Sequence, residues 1–415
     1  MGLFDLIAIL LTLAALFAYL NHRFVGLPNG IGIMLIGLLM SLGLVLMNKL
    51  GWINTDYFET LLAQVDFDEA VMNGMLSFLL FAGALHVNIN RLAAMKDTIA
   101  VLATIGVIMS SVIIGVVSFY VFALFGIDIP FIYCLVFGVL ISPTDPIAVM
   151  GILKKVGAPK SIEVKITGES LFNDGVAVVL FVAVVGVATG QSEPSLSAVG
   201  LLFLQEAVGG AVFGLMLGYG GYWMLKSIDN YQVEVLITIA MVTGGYALAQ
   251  HLHLSGPIAI VIAGLMMGNR GRLLAMSDVT RERLDHFWEL LDEVLNAVLF
   301  LLIGMEVLLI QFLPSYLYSA LLIIPLVVLA RFISVGLPVT LLRARNTYSP
   351  HAIKILTWGG LRGGISVALV LSLPAGPYRE PLIAATYAVV LFSILVQGLT
   401  VGRVARMANE DGTAK

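Results

Sequence analysis

Two prolines flank an aspartate in the segment Ser-Pro-Thr-Asp-Pro, where Asp145 stands between Pro143 and Pro146. A proline lacks the backbone N–H and clashes with the preceding turn, so carbonyl oxygens near residues 139 and 142 lose their helical partners. A residue before a proline also avoids the α conformation. Free carbonyl oxygens beside a carboxylate can replace the water shell of a small hard cation. The segment therefore predicts an unwound cation-binding stretch that includes Asp145.

A second aspartate, Asp174, lies in the sequence GESLFNDG at 168–175. Successive residues of an α-helix are rotated by about 100°, so Thr167, Ser170 and Asp174 fall on one face. This face offers hydroxyl and carboxylate oxygens, the ligands that hard cations prefer. We predict that Asp174 is the residue that binds the cation and that can also carry a proton. Ser170 lies on the same face, and Asp145 lies across from it.

Glu169 and Asn173 belong to the same motif but stack on a different face. Glu169 points about 140° away from Asp174, so the two carboxylates have different roles. A charge in the middle of a membrane costs roughly 2.5–3.5 kcal/mol and needs a partner. Arg331 lies midway along the apolar run 316–342, too deep to reach water easily. We predict that Glu169 and Arg331 form a structural ion pair between helices.

Arg362 lies in the glycine-rich sequence GGLRGG at 359–364, midway along the apolar run 351–372. We expect it to compensate charge at a broken helix by pairing with Asp145 or with nearby backbone carbonyls. The three acids and two arginines named so far leave one uncompensated carboxylate. A desolvated aspartate holds either one proton or one monovalent cation. The count predicts an exchanger in which one ion expels the other, with electroneutral 1:1 stoichiometry.

These residues need a membrane-embedded helical scaffold, and the composition predicts one. The 415 residues are 60% hydrophobic and 12% charged, whereas soluble domains are about a quarter charged. A spanning helix needs about 20 apolar residues, and such runs give about thirteen candidates. The candidates lie at 4–20, 30–48, 71–90, 98–125, 130–153, 164–190, 198–225, 233–251, 257–268, 289–311, 316–342, 351–372 and 383–402. We therefore predict an all-α polytopic membrane protein.

The basic residues predict the orientation of the chain, because cytoplasmic loops carry an excess of Lys and Arg. Most of the 22 basic residues occupy alternate connections, while the opposite loops hold only Lys49 and Arg379. The largest basic clusters lie at 154–165, 270–283, 343–354 and 403–415. This distribution predicts an N-terminus outside and a short cytoplasmic tail, 403–415, in a protein of the plasma (inner) membrane.

Prolines interrupt the fifth predicted helix, and glycines interrupt the twelfth, seven helices later. An odd offset inverts a helix in the membrane, so two six-helix units would be inverted repeats with two broken, crossing helices. Broken helices at matching positions point to the binding site of a transporter. The predicted transmembrane domain 1–402 thus divides into repeat one (4–190), a linking helix (198–225) and repeat two (233–402).

Other polar residues of the apolar segments are predicted to lie near the membrane surfaces. Glu206 and Glu306 fall nearer helix ends, and we expect hydrated or interfacial positions for both. His86 closes the third predicted helix and is expected to be a helix-end residue. The amphipathic stretch 273–288 predicts an interfacial cytoplasmic helix.

Three other functions compete with sodium–proton exchange. Potassium–proton exchange on the same scaffold stays open, because carboxylate and carbonyl oxygens do not define the size of the cavity. A passive cation channel is disfavoured by two mid-membrane arginines beside a site with one net negative charge. An intramembrane aspartyl protease needs two aspartates that share a proton, but Asp145 and Asp174 stand outside the Gly-x-Gly-Asp and Tyr-Asp motifs of such enzymes.

Cofactor and nucleic-acid functions find no support in the composition. Cys134 is the single cysteine, so disulfide chemistry and thiolate metal sites lack a second ligand. The sequence contains no block of like charges that would bind nucleic acid. We expect no cofactor, with Na⁺ and H⁺ as substrates and membrane lipid as the surroundings.

The motifs at 142–146, 168–175 and 359–364, together with Arg331, resemble those of monovalent cation:proton antiporters of the NhaP/NHE sodium–proton exchanger type. The resemblance covers essentially the whole chain. It implies antiport of Na⁺, or of Li⁺, against H⁺ on a thirteen-helix inverted-repeat fold. It also implies a homodimer in which a core domain moves like an elevator past a dimerisation domain.

The resemblance also implies roles for single residues in the site. Asp174 would bind Na⁺ or a proton beside three residues with oxygen ligands, which are Thr144, Asp145 and Ser170. Asn173, directly before Asp174, resembles the Asn-Asp signature of the electroneutral branch, where the electrogenic branch has two aspartates.

Glu169 and Arg331 resemble the structural ion pair of the electroneutral branch. One position departs from the pattern, because many relatives carry an acid in the third helix where this chain has His86. We expect the fold and the exchange chemistry to follow the family, while ion preference and pH response depend on this altered position.

Overall fold

The computed structural model describes residues 3–52, 69–190, 196–309, 313–344, 348–349 and 351–410, and these residues fold into helices without a strand. In chain order the α-helices are α1 (Leu3–Leu20), α2 (Asn29–Lys49), α3 (Leu76–Leu85), α4 (Ile89–Ala94), α5 (Lys96–Val101), α6 (Val107–Leu124), α7 (Phe131–Leu140), α8 (Ile147–Lys155), α9 (Lys160–Ala188), α10 (Leu196–Phe203), α11 (Gly209–Lys226), α12 (Tyr231–His251), α13 (Gly256–Met266), α14 (Arg272–Leu274), α15 (Asp278–Met305), α16 (Pro314–Leu342), α17 (Ala352–Trp358), α18 (Gly364–Leu371), α19 (Arg379–Phe392) and α20 (Gly398–Glu410). Single π-helical or 3₁₀ turns extend several of these helices, at Asn21–Val25, Ala70–Met75, Leu102–Gly106, Leu204–Val208, Met267–Gly271, Glu306–Leu309 and Ser393–Gln397. The predicted all-α class is confirmed.

Eight helical segments within the described residues are long and apolar enough to cross a membrane. They are Ile7–Val25, Asn29–Lys49, Lys96–Leu124, Lys160–Ala188, Gly200–Lys226, Tyr231–His251, Pro314–Leu342 and Arg379–Arg406. The prediction of a multi-pass membrane protein is confirmed, whereas the count of thirteen spans stays a prediction. Other predicted spans are divided by a break, as in α7 with α8 and α17 with α18, or carry more charge, as in α15.

The helices pack in two groups, and the candidate site lies where these groups meet. In one group α6 packs on α7 and α16, α9 packs on α7, and α19 packs on α16 and α18, while α20 packs on α8 and α17. In the other group α15 packs on α1, α2, α3 and α12, and α13 packs on α3, α11 and α12. We call the first group, α6–α9 and α16–α20, the crossing bundle. The second group, α1–α3, α11–α13 and α15, is the scaffold bundle.

Both predicted helix interruptions are present, the first between α7 and α8 and the second between α17 and α18. Between them the Asp145 N–H donates to the Leu361 carbonyl oxygen at 2.7 Å, in an isolated antiparallel bridge. The two extended segments therefore cross, and four helix ends lie near the crossing. Helix ends leave N–H and C=O groups without helical partners, so other groups near the crossing must supply them.

The stretch 273–288, predicted as an interfacial helix, belongs largely to the long helix α15, which the Ser277 side chain caps. Leu284 and Trp288 are 1% and 0% exposed. The Trp288 indole N–H donates to the Thr238 hydroxyl of α12 at 3.1 Å. Leu284 and Trp288 thus pack on α3 and α12, so this part of the stretch belongs to a helix of the scaffold bundle and not to a separate interfacial helix, whereas Leu273 and Leu274 are exposed.

Two other boundaries differ from those predicted. Lys165, assigned to a basic connection, lies inside α9 and is 3% exposed. Its Nζ stands 4.2 Å from the centre of the Tyr348 ring, a cation–π contact that replaces part of its hydration. The C-terminal segment 403–415, predicted as a tail, begins as helix because α20 continues to Glu410, and residues 411–415 lie outside the described residues.

Helix α7 must approach α6 closely for its C-terminal end to reach the crossing. A Cβ atom built on Gly138 of α7 would contact the Ser111 carbonyl oxygen of α6. Overpacking of this kind costs about 1–3 kcal/mol, so we expect Gly138→Ala to lower the apparent Tm of the detergent-solubilised protein by several degrees. Gly43→Ala is the matched control, because nothing lies within 4 Å of a Cβ atom there. Equal Tm values for the two variants in a thermal-shift assay would contradict this packing.

Candidate ion-binding site

Arg362 lies at the crossing and closes the C-terminal end of α7. Its Nη1 donates to the carbonyl oxygens of Ser142 and Pro143, the latter at 3.0 Å, and its backbone N–H donates to the Ser393 hydroxyl at 2.9 Å. The C-terminal end of a helix carries a partial negative charge, which the buried guanidinium compensates. Of the two kinds of partner expected from the sequence, backbone carbonyls are the ones that Arg362 is seen to bind.

Asp145 approaches the opposite kind of helix end. A Cβ atom on Gly363, which directly precedes α18, would contact the Asp145 carboxylate oxygen Oδ2. The missing side chain therefore lets this carboxylate lie at the N-terminal end of α18. Free N–H groups at a helix N-terminus favour a negative charge. Asp145 and Arg362 thus complement helix ends of opposite polarity.

Arg331 and Glu169 are in direct contact, as expected from the facing of their helices. The guanidinium donates to Glu169 Oε1 at 2.5 Å and to Oε2 at 2.9 Å, and it also donates to the Leu356 carbonyl oxygen at 3.3 Å. The last bond closes the C-terminal end of α17. A Cβ atom on Gly360 would lie 2.6 Å from Arg331 Nε, so glycine leaves room for the guanidinium. The ion pair therefore joins α9, α16 and α17.

Thr144 connects the first interruption to α9 through its hydroxyl group. The Asn173 amide donates to Thr144 Oγ1 at 2.8 Å, and Asn173 Oδ1 accepts from the Thr144 N–H at 3.4 Å. Ser170 Oγ lies 3.0 Å from the same Thr144 Oγ1. Asn173 stacks beside Glu169 as the helix rotation predicts, about 40° from it, and it also reaches Thr144. The structure thus places Asn173 beside Thr144, among the residues expected in the site.

Asp174 lies on the wall of a cavity of about 120 Å³ between the two bundles and is 5% exposed. The polar residues of this wall are Thr144, Asp145, Thr167, Asp174, Asp292 and Ser366. Ser170 lies behind Thr144, to which it is bonded, and is 1% exposed. A cavity of this volume can hold a small cation with several water molecules, because a cavity needs only about 10–15 Å³ of accessible volume to hold one water.

Asp292 is a cavity residue that the sequence analysis missed. It lies on α15 of the scaffold bundle, faces the same cavity as Asp174, and is followed one turn later by Asn296. The signal in the sequence is an Asp and an Asn four residues apart, followed by Leu299, on one face of a helix that is otherwise apolar in its second half. Such spacing places both polar side chains toward the same neighbour.

The remaining polar residues of the apolar segments lie outside this cavity. Glu306 follows the end of α15 as predicted, but it is 7% exposed because its turn packs on α2, so the predicted hydrated position is wrong. Glu206 is half-buried. His86 is the exposed residue after α3, with Nδ1 2.8 Å from the Ala82 carbonyl oxygen, and its helix-end position is confirmed.

This geometry supports reversible binding of a small cation or a proton by carboxylates. Within the residues that the structure describes, no three His, Cys, Asp or Glu side chains form a cluster that could hold a metal ion. The cavity wall instead combines carboxylates with hydroxyl oxygens, which suit hard cations.

Comparison with known proteins assigns the chain to a family. Residues 11–407 match the model described as "Sodium/hydrogen exchanger, transmembrane". The chain belongs to the sodium/hydrogen exchanger family. The resemblance drawn from the three motifs and Arg331 is therefore confirmed, and this exchanger belongs among membrane transporters.

Individual relatives of this exchanger span nearly its whole length. It is 50% identical over 407 residues to the Na(+)/H(+) antiporter NhaP of Pseudomonas aeruginosa, covering 97% of this chain and 96% of that protein. It is 34% identical over 403 residues to the Na(+)/H(+) antiporter NhaH of Halobacillus aidingensis, covering 95% and 94%. The solved structure of the sodium proton antiporter MjNhaP1 of Methanocaldococcus jannaschii matches with a TM-score of 0.77 at 20% identity, covering 98% of this chain and 99% of that one. The exchanger thus shares the fold of MjNhaP1.

The pair between Glu169 and Arg331 predicts a loss of stability when one partner is neutralised. Removing one partner of a buried ion pair costs about 3–5 kcal/mol, because the other charge is left uncompensated. We expect Glu169→Gln to lower the apparent Tm of the exchanger by many degrees in a thermal-shift assay. Glu163→Gln, at a partly exposed position of the same helix, should melt with the wild type. A Glu169→Gln protein with wild-type Tm would show that the pair does not stabilise the bundle.

Proposed function

We propose that this chain is a secondary active transporter, rather than an enzyme, that exchanges Na⁺ or Li⁺ for H⁺ across the membrane. The observation that carries the proposal is Asp174, a buried carboxylate on the wall of a small cavity between two helix bundles. Burial disfavours a bare charge, so such a group takes up either a proton or a cation. The names of the relatives at 50% and 34% identity support the same activity.

The charges of the crossing bundle favour electroneutral 1:1 exchange. Arg331 neutralises Glu169, and Asp145 and Arg362 complement helix ends of opposite polarity. One negative charge remains, at Asp174, and either one Na⁺ or one proton neutralises it. Asp292 does not enter this count, because it belongs to the scaffold bundle.

The proposed Na⁺ ligands are Asp174, the Thr144 hydroxyl and Ser170, with Asp145 as the second carboxylate of the cavity. Asn173 donates to Thr144 Oγ1, which leaves the lone pairs and proton of this hydroxyl in a defined orientation. A proton on Asp174 removes the charge that holds Na⁺, so the two ions compete for one group. Neither Na⁺ nor H⁺ needs a cofactor in this scheme.

Alternating access follows from the position of the cavity. The site lies where the two bundles meet, and we infer that the crossing bundle moves like an elevator past the scaffold bundle. Movement with a loaded, neutral site avoids the cost of a bare mid-membrane charge, roughly 2.5–3.5 kcal/mol. The empty site is therefore disfavoured in transit, and uptake of one ion is coupled to release of the other.

We also propose an oligomeric state, a division into repeats and an orientation in the membrane. The scaffold bundle serves as the dimerisation domain of a homodimer, and the two predicted repeats, 4–190 and 233–402, are joined by the linking helix 198–225. The protein lies in the plasma membrane with its N-terminus outside and its C-terminus in the cytoplasm, in keeping with the distribution of basic residues.

Exchange is tested in proteoliposomes with an acidic interior and a trapped pH dye. We expect added Na⁺ to make the interior alkaline at a rate that is unchanged when valinomycin and K⁺ clamp the voltage. Asp174→Asn should abolish the response, because the amide can bind neither the proton nor the cation charge. Glu163→Gln, on the same helix, is the control and should retain wild-type rates.

A different result would contradict each part of the proposed function. A response to K⁺ alone would reassign the substrate to K⁺, and a rate that changes with the voltage clamp would overturn the 1:1 stoichiometry. A Na⁺ response that survives in Asp174→Asn would remove Asp174 from the site. Single-channel currents in a planar bilayer would overturn the exchange mechanism.

A further inference from the structure

Two cavities meet at a single residue of α15. The small cavity contains Asp145 and Asp174, and a second cavity of about 870 Å³ lies between α8 of the crossing bundle and α1, α2 and α15 of the scaffold bundle. Within the described residues, Asp292 is the only residue that lines both cavities. A cation that moves directly from the wide cavity into the small one would pass the Asp292 carboxylate.

When the charged residues that line the wide cavity are counted, Asp292 accounts for the net negative charge. The exposed ammonium groups of Lys154 and Lys155 are balanced by the exposed carboxylates of Glu289 and Glu293 on the same wall. Asp292 is the remaining acidic group of this wall. A carboxylate at the narrow end of a water-filled cavity raises the local concentration of cations and guides them inward.

Asp292 has a polar neighbour on its own helix. Asn296 lies one turn later on the same helix and is 6% exposed. Asn296 lines the wide cavity with Asp292, and its oxygen Oδ1 is buried without a hydrogen-bond partner within the described residues. The Asp292 carboxylate is therefore the oxygen ligand at the point where an entering cation must exchange part of its water shell.

We propose that Asp292 is an entry ligand for the transported cation and that it acts from one side of the membrane only. This inference rests on the proposed exchange function. α15 belongs to the scaffold bundle, so Asp292 stays behind when the crossing bundle carries Asp174 to the other face. Asp292 then assists ion entry from the face to which the wide cavity opens, the side of Lys154 and Lys155, and not from the opposite face.

The test compares Asp292→Asn with Glu293→Gln. The second substitution removes one negative charge from the neighbouring residue, and Glu293 lines the wide cavity but not the small one. Exchange is measured in inside-out and right-side-out membrane vesicles, with Na⁺ added from the accessible face. We expect Asp292→Asn to raise the apparent KM for Na⁺ about tenfold at the cytoplasmic face, in line with electrostatic focusing in clefts. The KM at the opposite face and the maximal rate should stay within about twofold, as should all values for Glu293→Gln.

Two further measurements separate a charge effect from a structural one. Asp292→Glu, which keeps the carboxylate, should restore a nearly normal KM, and Asp292→Ser provides a second neutral variant if the Asn protein is poorly folded. Raising ionic strength with impermeant choline chloride should narrow the difference between Asp292→Asn and wild type, because salt screens charges in water-filled regions.

Several results would overturn the inference while leaving exchange at Asp174 intact. These are an unchanged cytoplasmic KM in both neutral variants, an equal shift at both faces, an equal shift in Glu293→Gln, or a difference that salt does not alter. Loss of exchange at saturating Na⁺ in a folded Asp292→Asn protein would place Asp292 in the central site instead. By contrast, wild-type vesicles that move no protons in response to Na⁺ or K⁺ would overturn the proposed function itself.

Discussion

The crossing of two interrupted helices leaves helix ends inside the protein, where bulk water cannot supply hydrogen bonds to their free N–H and C=O groups. The rest of the site depends on the side chains that supply these bonds or charges instead. Arg362 binds carbonyl oxygens at the end of α7, and Arg331 binds one at the end of α17. Asp145 lies at the N-terminal end of α18. In hydrocarbon surroundings each unsatisfied backbone group costs several kcal/mol, so these charges are first of all requirements of the backbone.

Because the other charged residues near the crossing pair with each other or with helix ends, one carboxylate remains for the proposed transport. Glu169 neutralises Arg331, and the charges on Asp145 and Arg362 answer helix dipoles of opposite sign. Asp174 lies instead on the wall of the cavity, in a helix that is unbroken through the site. The crossing thus provides a charge-balanced frame, and the proposed binding of one Na⁺ or one proton at Asp174 would alter its net charge.

Much of this frame could be predicted from local chemistry. Pro143, Pro146 and the glycines at 359–364 break helices through their own backbones, so both interruptions were predictable. The contact between Glu169 and Arg331 followed from helix facing and the need to pair deep charges. Tertiary packing determined what could not be predicted. The contact of Asn173 with Thr144 depends on how the first interruption packs on α9, and the role of Asp292 depends on cavities built by helices far apart in the chain.

The interfacial helix predicted at 273–288 was wrong for a related reason. An amphipathic pattern specifies that one face is apolar, but lipid and protein can cover that face equally well, and here α3 and α12 cover Leu284 and Trp288. The central claim of the account is competition between Na⁺ and H⁺ for the single carboxylate of Asp174. The most direct measurement is proton release on Na⁺ binding, followed with a pH dye in weakly buffered detergent solution while bound Na⁺ is counted with a radioactive tracer. The account predicts one proton released per Na⁺ bound, and neither event in Asp174→Asn. Binding of Na⁺ without proton release, or release of two protons per Na⁺, would contradict it.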